Sequence, residues 1–97
     1  MIWVFHPGIR GDVRQILDYD DSRSDLAGDR FLKEFNSRLD EVRANPGRFR
    51  YLDDRRQRCN LRRFPYHFVF DRLNEMTLRV LVLRHDKRHP GFGMRRK

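Results

Sequence analysis

The chain has 97 residues, of which 38% are hydrophobic and 37% are charged, and it carries a formal net charge of +8. This length predicts one domain spanning residues 1–97, with a modest core that needs no cross-links. The single cysteine, Cys59, excludes an internal disulfide, and no apolar run has the length of a membrane span or the flanks of an export signal. We therefore expect a cytoplasmic protein that does not enter membranes.

The positive charge is concentrated in the C-terminal half of the chain. Residues 1–54 contain 9 Arg/Lys and 11 Asp/Glu, whereas residues 55–97 contain 13 Arg/Lys and 3 Asp/Glu. Nearly all of the basic residues are arginine, which suits two-pronged contacts with phosphate or carboxylate groups. This asymmetry indicates an anionic partner, either a nucleic acid or an acidic protein segment.

The first predicted element is a β-strand over residues 2–5, which the turn residues His6-Pro7-Gly8 terminate. Its four consecutive apolar residues predict burial on both faces, and hence a central position in the sheet. His6 is assigned a structural role, as is His67 later in the chain.

Two amphipathic helices are predicted next. The first covers about residues 9–21, and the second ends before Asn45-Pro46-Gly47, because the residue before a proline avoids helical dihedral angles. The cluster Asp20-Asp21-Ser22 is expected to end the first helix, and Ser24 or Asp25 to cap the second. Their apolar stripes comprise Ile9, Val13, Ile16 and Leu17 in the first helix, and Phe31, Leu32, Phe35, Leu39 and Val42 in the second. These stripes predict a helical hairpin packed on one face of a sheet.

A hydrophobic β-hairpin is the predicted centre of the fold. Its first strand begins near Arg58 and continues to Asp71, with Pro65 at an edge or a bulge, and its second strand covers residues 78–84. Strand alternation places Phe64, Tyr66, Phe68 and Phe70 on one face of the first strand. In the second strand it separates Leu78, Val80 and Val82 from Arg79, Leu81 and Leu83. The predicted fold class is α+β, in the order β-α-α-β-β-β, with the helical hairpin on a small antiparallel sheet.

Candidate functional side chains flank this hairpin. They are Arg62 and Arg63 before the aromatic run, and His85, Lys87, Arg88 and His89 after the second strand. Because Arg62 and Arg63 are adjacent in a predicted strand, at most one is expected to join a given site. The other is expected to pair with an acidic residue of the second helix. The short basic tail after Gly91 is expected to be mobile.

Several motifs together resemble the RelE/ParE superfamily of toxins from bacterial type II toxin–antitoxin modules. They are Phe5-His6-Pro7, Ile16-Leu17-Asp18-Tyr19, Phe31-Leu32-Lys33-Glu34-Phe35, Asn45-Pro46, Leu61-Arg62-Arg63-Phe64-Pro65-Tyr66 and His85-Asp86-Lys87-Arg88-His89-Pro90-Gly91-Phe92. The resemblance covers nearly the whole chain, and the Arg-Phe-Pro-Tyr and His-x-x-Arg-x-Pro-Gly motifs are its most specific parts.

The resemblance implies a fold and a partner. The fold is a helical hairpin against a four-stranded antiparallel sheet. The partner is a cognate antitoxin whose acidic, partly disordered segment folds across the toxin, and the basic half of this chain would complement it. The superfamily also implies two alternative activities: RelE-like members cut messenger RNA on the ribosome, and ParE-like members poison DNA gyrase.

RelE-like cleavage without a metal needs a deprotonated 2′-hydroxyl, a stabilised phosphate and a protonated leaving oxygen. The candidates are His85 or His89 as acid or base, with His85 favoured, and Lys87 as an electrostatic aid. Arg62, Arg63 and Arg88 are the candidates for holding the phosphate. RelE-like enzymes place a tyrosine or histidine near the C-terminal end, where this chain has Phe92, which has no proton to donate.

ParE-like poisoning of gyrase needs no catalytic set, only a basic exposed surface. We favour it because the His-x-x-Arg-x-Pro-Gly ending is more typical of ParE-like sequences. The residues predicted to bind the target or the antitoxin are Arg55, Arg56, Arg58, Arg62, His89, Arg95 and Arg96.

A third hypothesis is a non-catalytic nucleic-acid-binding module. The aromatic row over residues 64–70 could stack bases if it were exposed, but the apolar stripes of the two helices favour its burial. Cys59 and the four histidines show no ligand spacing, so no metal is expected. The glycines form no phosphate-binding loop, and no cofactor is expected.

Overall fold

The computed structural model describes residues 1–21 and 26–97. Its elements, in chain order, are β1 (Ile2–Phe5), α1 (Ile9–Asp21), α2 (Ala27–Ala44), a 3₁₀ turn (Pro46–Arg48), β2 (Arg50–Tyr51), β3 (Gln57–Asn60), β4 (Tyr66–Asn74) and β5 (Thr77–His85). Both helices occupy the predicted ranges, and α1 ends at Asp21. Ser22 and the predicted caps Ser24 and Asp25 lie outside the described residues. No helix in the described part of the chain is long and apolar enough to span a membrane.

The strands form one five-stranded mixed sheet in the order β1-β5-β4-β3-β2. Strand β1 pairs with β5 in parallel, and every other neighbouring pair is antiparallel. The α+β class is confirmed, but the sheet is neither four-stranded nor wholly antiparallel. The parallel pair joins the first and last strands of the chain. Parallel strands require a long crossover connection, and here both helices and three strands supply it.

Strand β1 lies at the edge of the sheet, so its predicted central position is wrong. Ile2 and Phe5 are 60% and 47% exposed, and only the middle of the strand is half-buried. The apolar run is explained by packing on one side: Trp3 contacts Phe68 and Phe70 edge-on, and its indole Nε1–H donates to the Leu39 carbonyl at 3.0 Å.

The predicted strand before Asp71 is broken into two. Strand β3 ends at Asn60, residues 61–65 form a turn, and β4 starts at Tyr66. Pro65 therefore lies in the turn, where its carbonyl accepts the Asp86 backbone N–H at 2.8 Å. Pro65 lacks a backbone donor for a strand ladder, which is consistent with the break.

Strand β5 contains a bulge that reverses its side-chain alternation. Val69 pairs with Val82 and Phe70 pairs with Val80, so Leu81 is an extra residue on β5. Leu78, Val80 and Leu83 consequently pack in the core beneath the helices, whereas Leu81 and Val82 pack with Val69 on the opposite face. The prediction that Val82 shares a face with Leu78 and Val80 is wrong, because one extra residue moves every later side chain of β5 to the other face.

The aromatic row of β4 forms the floor of the core. Tyr66, Phe68 and Phe70 are at most 5% exposed, and Phe64 packs against them from the turn. Phe31 of α2 contacts the Phe64 and Tyr66 rings at centroid distances of 5.8 and 5.5 Å. Burial of the row removes the exposed platform that base stacking would need.

The C-terminal tail covers the other face of the sheet and is not the free segment expected. Phe92 and Met94 pack on Val69, Leu81 and Val82. Gly93 has a positive φ of 77°, a conformation that side chains disfavour, and it lies directly against Val82. The sheet is therefore enclosed by the helices on one face and by the tail on the other.

Candidate functional site

A groove between α1, the 61–65 turn and the end of β5 brings together three of the four predicted catalytic residues. Arg63, His85 and Arg88 line it with Tyr66 and Phe92, and its volume is ≈ 570 Å³. We call this surface the His85 groove. Lys87 is exposed on the following turn and does not line the groove.

Local structure fixes the position of each of these side chains. His85 is the last residue of β5, where it pairs with Tyr66 and its ring stands edge-on to the tyrosine ring at 5.3 Å. Arg63 comes from the turn, which Glu34 of α2 holds by accepting the backbone N–H groups of Arg62 and Arg63 at 2.8 and 3.2 Å. Arg62 and Arg63 are therefore turn residues, not the alternating strand positions that were predicted.

The ring of His85 presents a donor to the groove. Its Nδ1 accepts the backbone N–H of Lys87 at 3.0 Å, and a backbone N–H can only donate. The neutral imidazole therefore carries its proton on Nε2. His89 and His6 have the same arrangement, with Nδ1 accepting from Gly91 and Gly8 at 2.9 Å in each case. Each of these three rings offers an N–H, not a lone pair.

Phe92 supports the cationic wall of the groove. The guanidinium carbon of Arg88 lies 4.0 Å from the centre of the Phe92 ring, and that of Arg96 lies 5.5 Å away. Stacking on the Phe92 ring holds the Arg88 guanidinium while leaving its N–H groups free to bind an anion, whereas the N–H groups of Arg96 bond to Asp12 and to the Leu81 carbonyl. Phe92 thus positions the Arg88 guanidinium in the wall of the groove.

Beneath the groove lies a buried polar network that sequence reasoning missed. Arg84 Nε donates to His67 Nε2 at 2.9 Å, and His67 Nδ1 donates to Asp86 Oδ1 at 2.8 Å. Arg84 Nη1 also donates to the carbonyls of Pro90 and Phe92, both at 2.7 Å. His67 is 1% exposed and both of its ring nitrogens are hydrogen-bonded, which agrees with the structural role predicted for it. The pattern signal was weak: alternation along β4 places His67 on the face opposite Tyr66 and Phe68, but only the bulge in β5 places Arg84 on that same face.

Burial, followed by the nearby charges of Arg58 and Arg84, lowers the pKa of His67 from its usual 6.5, although the hydrogen bond to Asp86 opposes the shift. Below pH 6.5 the unfolded chain therefore binds a proton at this histidine that the folded chain resists. We expect the free energy of unfolding to fall as the pH drops below about 6.5 towards the folded-state pKa. Urea unfolding at pH 7.5 and pH 5.5 measures the loss.

His67→Gln should remove most of that pH dependence at some cost in stability at pH 7.5. His6 adds a loss of the same sign, since burial and the charges of Arg96 and Arg79 also lower the pKa of this histidine. His89→Gln, which makes the same substitution at an exposed position, is the matched control. Equal stability of the wild-type chain at both pH values would contradict the lowered pKa of His67 in the folded state.

Asp12 of α1 links the groove to the tail. It is 5% exposed, its Oδ2 accepts the Leu83 backbone N–H at 3.0 Å, and both of its oxygens accept from Arg96 at 2.6 and 2.9 Å. This hydrogen bonding raises the pKa of Arg96 above its usual value. An acidic residue within the Ile9–Ile16 stripe was the only sequence signal for this connection.

A second groove collects most of the predicted binding arginines. Its walls come from the β2–β3 turn, the β4–β5 hairpin and the tail, and its volume is ≈ 840 Å³. It is lined by Arg55, Arg56, Asp71, Arg72, Leu73, Arg79, Met94, Arg95, Arg96 and Lys97. We call this surface the Arg72 groove. Arg72, Arg79 and Lys97 were not predicted to take part.

The remaining predicted binding residues lie in neither groove. Arg62 Nη1 pairs with Glu41 of α2 at 3.0 Å, which confirms the expected pairing of one of the two adjacent arginines. The same contact is the main reason that the pKa of Glu41 is lowered. Arg58 lies on β3, 3.5 Å from Asp86, and His89 is exposed in the turn after β5.

Neither grooves nor core offer a metal or thiol centre among the described residues. No group of three His, Cys, Asp or Glu side chains there could hold a metal ion. Cys59 is fully buried, and desolvation raises the pKa of its thiol to about 11, so that it stays protonated and unreactive near neutral pH.

The comparisons with known proteins leave the family open. No protein-family model matches the chain, and a search of curated proteins finds no match. The functional assignment therefore has to come from the motifs and from the geometry of the two grooves.

Proposed function

We propose that this chain is the toxin of a type II toxin–antitoxin module of the RelE/ParE superfamily, and that it arrests bacterial growth by poisoning DNA gyrase. It acts in the cytoplasm and is neutralised by the acidic segment of a cognate antitoxin. The proposal rests on the motif order noted above and on one observation in the His85 groove.

That observation is the absence of a free base among the histidines, all four of which lie in the described residues. His6, His85 and His89 each use Nδ1 to accept a backbone N–H, and His67 uses Nε2 to accept from Arg84. General-base removal of a 2′-hydroxyl proton needs an available lone pair. The groove instead combines the guanidinium groups of Arg63 and Arg88 with the Nε2–H of His85, which suits binding and not cleavage.

The same donors fit the carboxylates of an acidic segment. Arginine forms paired, charge-assisted hydrogen bonds with carboxylate groups, and the two arginines stand on opposite sides of His85 in the chain. Seating the antitoxin segment here would also cover the half-buried ring of Phe92. Neutralisation by direct occlusion of the groove follows from this placement.

The alternative function is a RelE-like messenger RNA interferase. The observation in its favour is that Arg63, His85 and Arg88 converge on one groove, as phosphate binding would require. In that case His85 would have to release the Lys87 N–H in order to act as acid or base.

We expect induced expression of the chain to stop growth of a bacterial host and to trap gyrase–DNA cleavage complexes, with messenger RNA left intact. Arg63→Ala combined with Arg88→Ala should relieve the arrest, because each lost charge-assisted contact weakens binding about tenfold or more. Arg14→Ala with Arg50→Ala is the matched control, since both arginines are exposed and line neither groove. The control should remain fully toxic.

A purified translation system distinguishes messenger RNA cleavage from gyrase poisoning. Messenger cleaved at the ribosomal A site would favour the interferase, and cleavage should then disappear in the His85→Ala, Arg63→Ala variant. Normal growth despite verified soluble expression would contradict the proposal that the chain is a toxin, whichever mechanism applies.

A further inference from the structure

The Arg72 groove carries a large excess of positive charge. Among the residues that the structure describes, seven cationic side chains and one carboxylate side chain, that of Asp71, line it. It shares no lining residue with the His85 groove, so the two surfaces can be occupied separately.

Contacts within the chain fix some of these cations and leave others available. Arg79 donates hydrogen bonds to both carboxylate oxygens of Asp71, at 2.7 and 3.1 Å, and Arg96 donates to Asp12. Arg55, Arg72 and Arg95 are exposed, and none of their guanidinium groups forms an ion pair within the part of the chain that the structure describes, although Asp53 accepts the backbone N–H of Arg55. These three guanidinium groups stand on a wall that the buried ion pairs hold in place.

The shape and chemistry of this wall identify the ligand class. Among the described residues, Leu73 and Met94 are its apolar members and no aromatic ring lines it, so the unstacked bases of a single strand would find no aromatic stacking partner. Arg79 projects from β5, which is paired with both β1 and β4 at this point, whereas Arg72 projects from the part of β4 beyond Phe70, where the pairing with β3 has ended. An extended peptide could therefore pair only with the short free edge of β4 over residues 71–74. A ligand that needs only charged side-chain donors fits best.

We infer that the Arg72 groove binds the phosphate backbone of double-helical nucleic acid, with Arg55, Arg72 and Arg95 as its phosphate ligands. A duplex presents closely spaced phosphates along a rigid surface and requires neither base stacking nor strand pairing. The inference does not depend on the toxin assignment, because it concerns a surface outside the His85 groove.

The test is fluorescence anisotropy of a labelled 20-base-pair DNA duplex titrated with the full chain over a series of salt concentrations. Each phosphate contact contributes about 0.9 to the slope of log affinity against log salt, so Arg55→Gln, Arg72→Gln, Arg95→Gln should reduce the magnitude of that slope by about 2.7. Affinity at low salt should fall at least tenfold. An RNA duplex of the same sequence shows which form of double helix binds more tightly.

The matched control is Arg14→Gln, Arg30→Gln, Arg50→Gln, which removes the same charge from exposed positions outside the groove. Circular dichroism and the thermal midpoint verify that both triple variants fold. Equal losses of affinity in the two triple variants would overturn the inference, because they would show that binding depends on the net charge of the chain and not on the Arg72 groove. It is likewise overturned if the chain fails to bind the duplexes, or if a single strand or a glutamate-rich peptide of equal charge binds more tightly.

The assay contains neither gyrase nor ribosomes, and the growth assay depends on Arg63 and Arg88. Toxicity without duplex binding rejects this inference alone. Duplex binding without toxicity rejects the proposed function alone.

Discussion

Asp12→Ala is expected to lower the free energy of unfolding by about 3 kcal/mol, because it leaves a partly buried arginine without its partner. The side chain of Arg96 is only 19% exposed and that of Asp12 only 4%, so solvent replaces the lost ion pair poorly. The Leu83 backbone N–H also loses its acceptor at a point where β1 no longer pairs with β5. For a domain of this size, the loss corresponds to a fall in the thermal midpoint of roughly 12 °C or more.

Asp18→Ala provides the comparison within the same helix. Asp18 is exposed on α1, so its removal should change stability by no more than about 0.5 kcal/mol. The double variant Asp12→Ala, Arg96→Met should recover part of the loss, since removing both partners leaves no unpaired buried charge. Thermal and urea unfolding of the four proteins measure these differences. If the two aspartate variants proved equally stable, Asp12 would not hold the tail to α1.

Gly93→Ala is the second change with a large expected effect, of about 2–3 kcal/mol in lost stability. A Cβ at this position would lie 2.6 Å from Val82 Cβ, and the φ of +77° is itself costly for alanine by about 1 kcal/mol or more. The tail can avoid the collision only by lifting from the sheet. That movement uncovers Val69, Leu81 and Val82, none of which has any exposed surface in the native structure.

Gly11→Ala is the matched control, because Gly11 lies in α1 with open space around the added Cβ. It should raise stability by about 0.5–1 kcal/mol, since alanine is the better helix former. Binding of a hydrophobic dye and proteolysis near the C-terminus report exposure of the tail-covered face. Both should rise for Gly93→Ala and remain at the wild-type level for Gly11→Ala. No increase in either readout would contradict the role of Gly93 as a close-packing point.

The helices could be predicted because their signals are local. The spacing of Phe31, Phe35, Leu39 and Val42 and the stop at Pro46 specify α2 without reference to any other element, and all four stripe residues are buried. The grouping of Tyr66, Phe68 and Phe70 followed from the two-residue repeat of a strand in the same way. Strand β1 was misplaced because an apolar run shows that a strand packs against a core, but not how many of its edges are paired.

The candidate site was predictable in part. Proximity in sequence to the end of a buried strand singled out His85 and Arg88, and the structure adds Arg63 to the same groove. The roles of these residues required the tertiary structure. The hydrogen bond from the Lys87 backbone makes the His85 ring a donor, and the position of Phe92 beneath Arg88 makes this phenylalanine a support for the cation.

The sequence by itself determined an α+β domain with two amphipathic helices, an aromatic floor and a strongly basic C-terminal half. These features are properties of periodicity and composition. The tertiary structure alone decided that the positive charge forms two grooves and that the tail covers one face of the sheet. The physical reason is that both results depend on long-range contacts. Asp12 and Arg96 meet across 84 residues of chain, and the Leu81 bulge redirects β5 after pairing with β4.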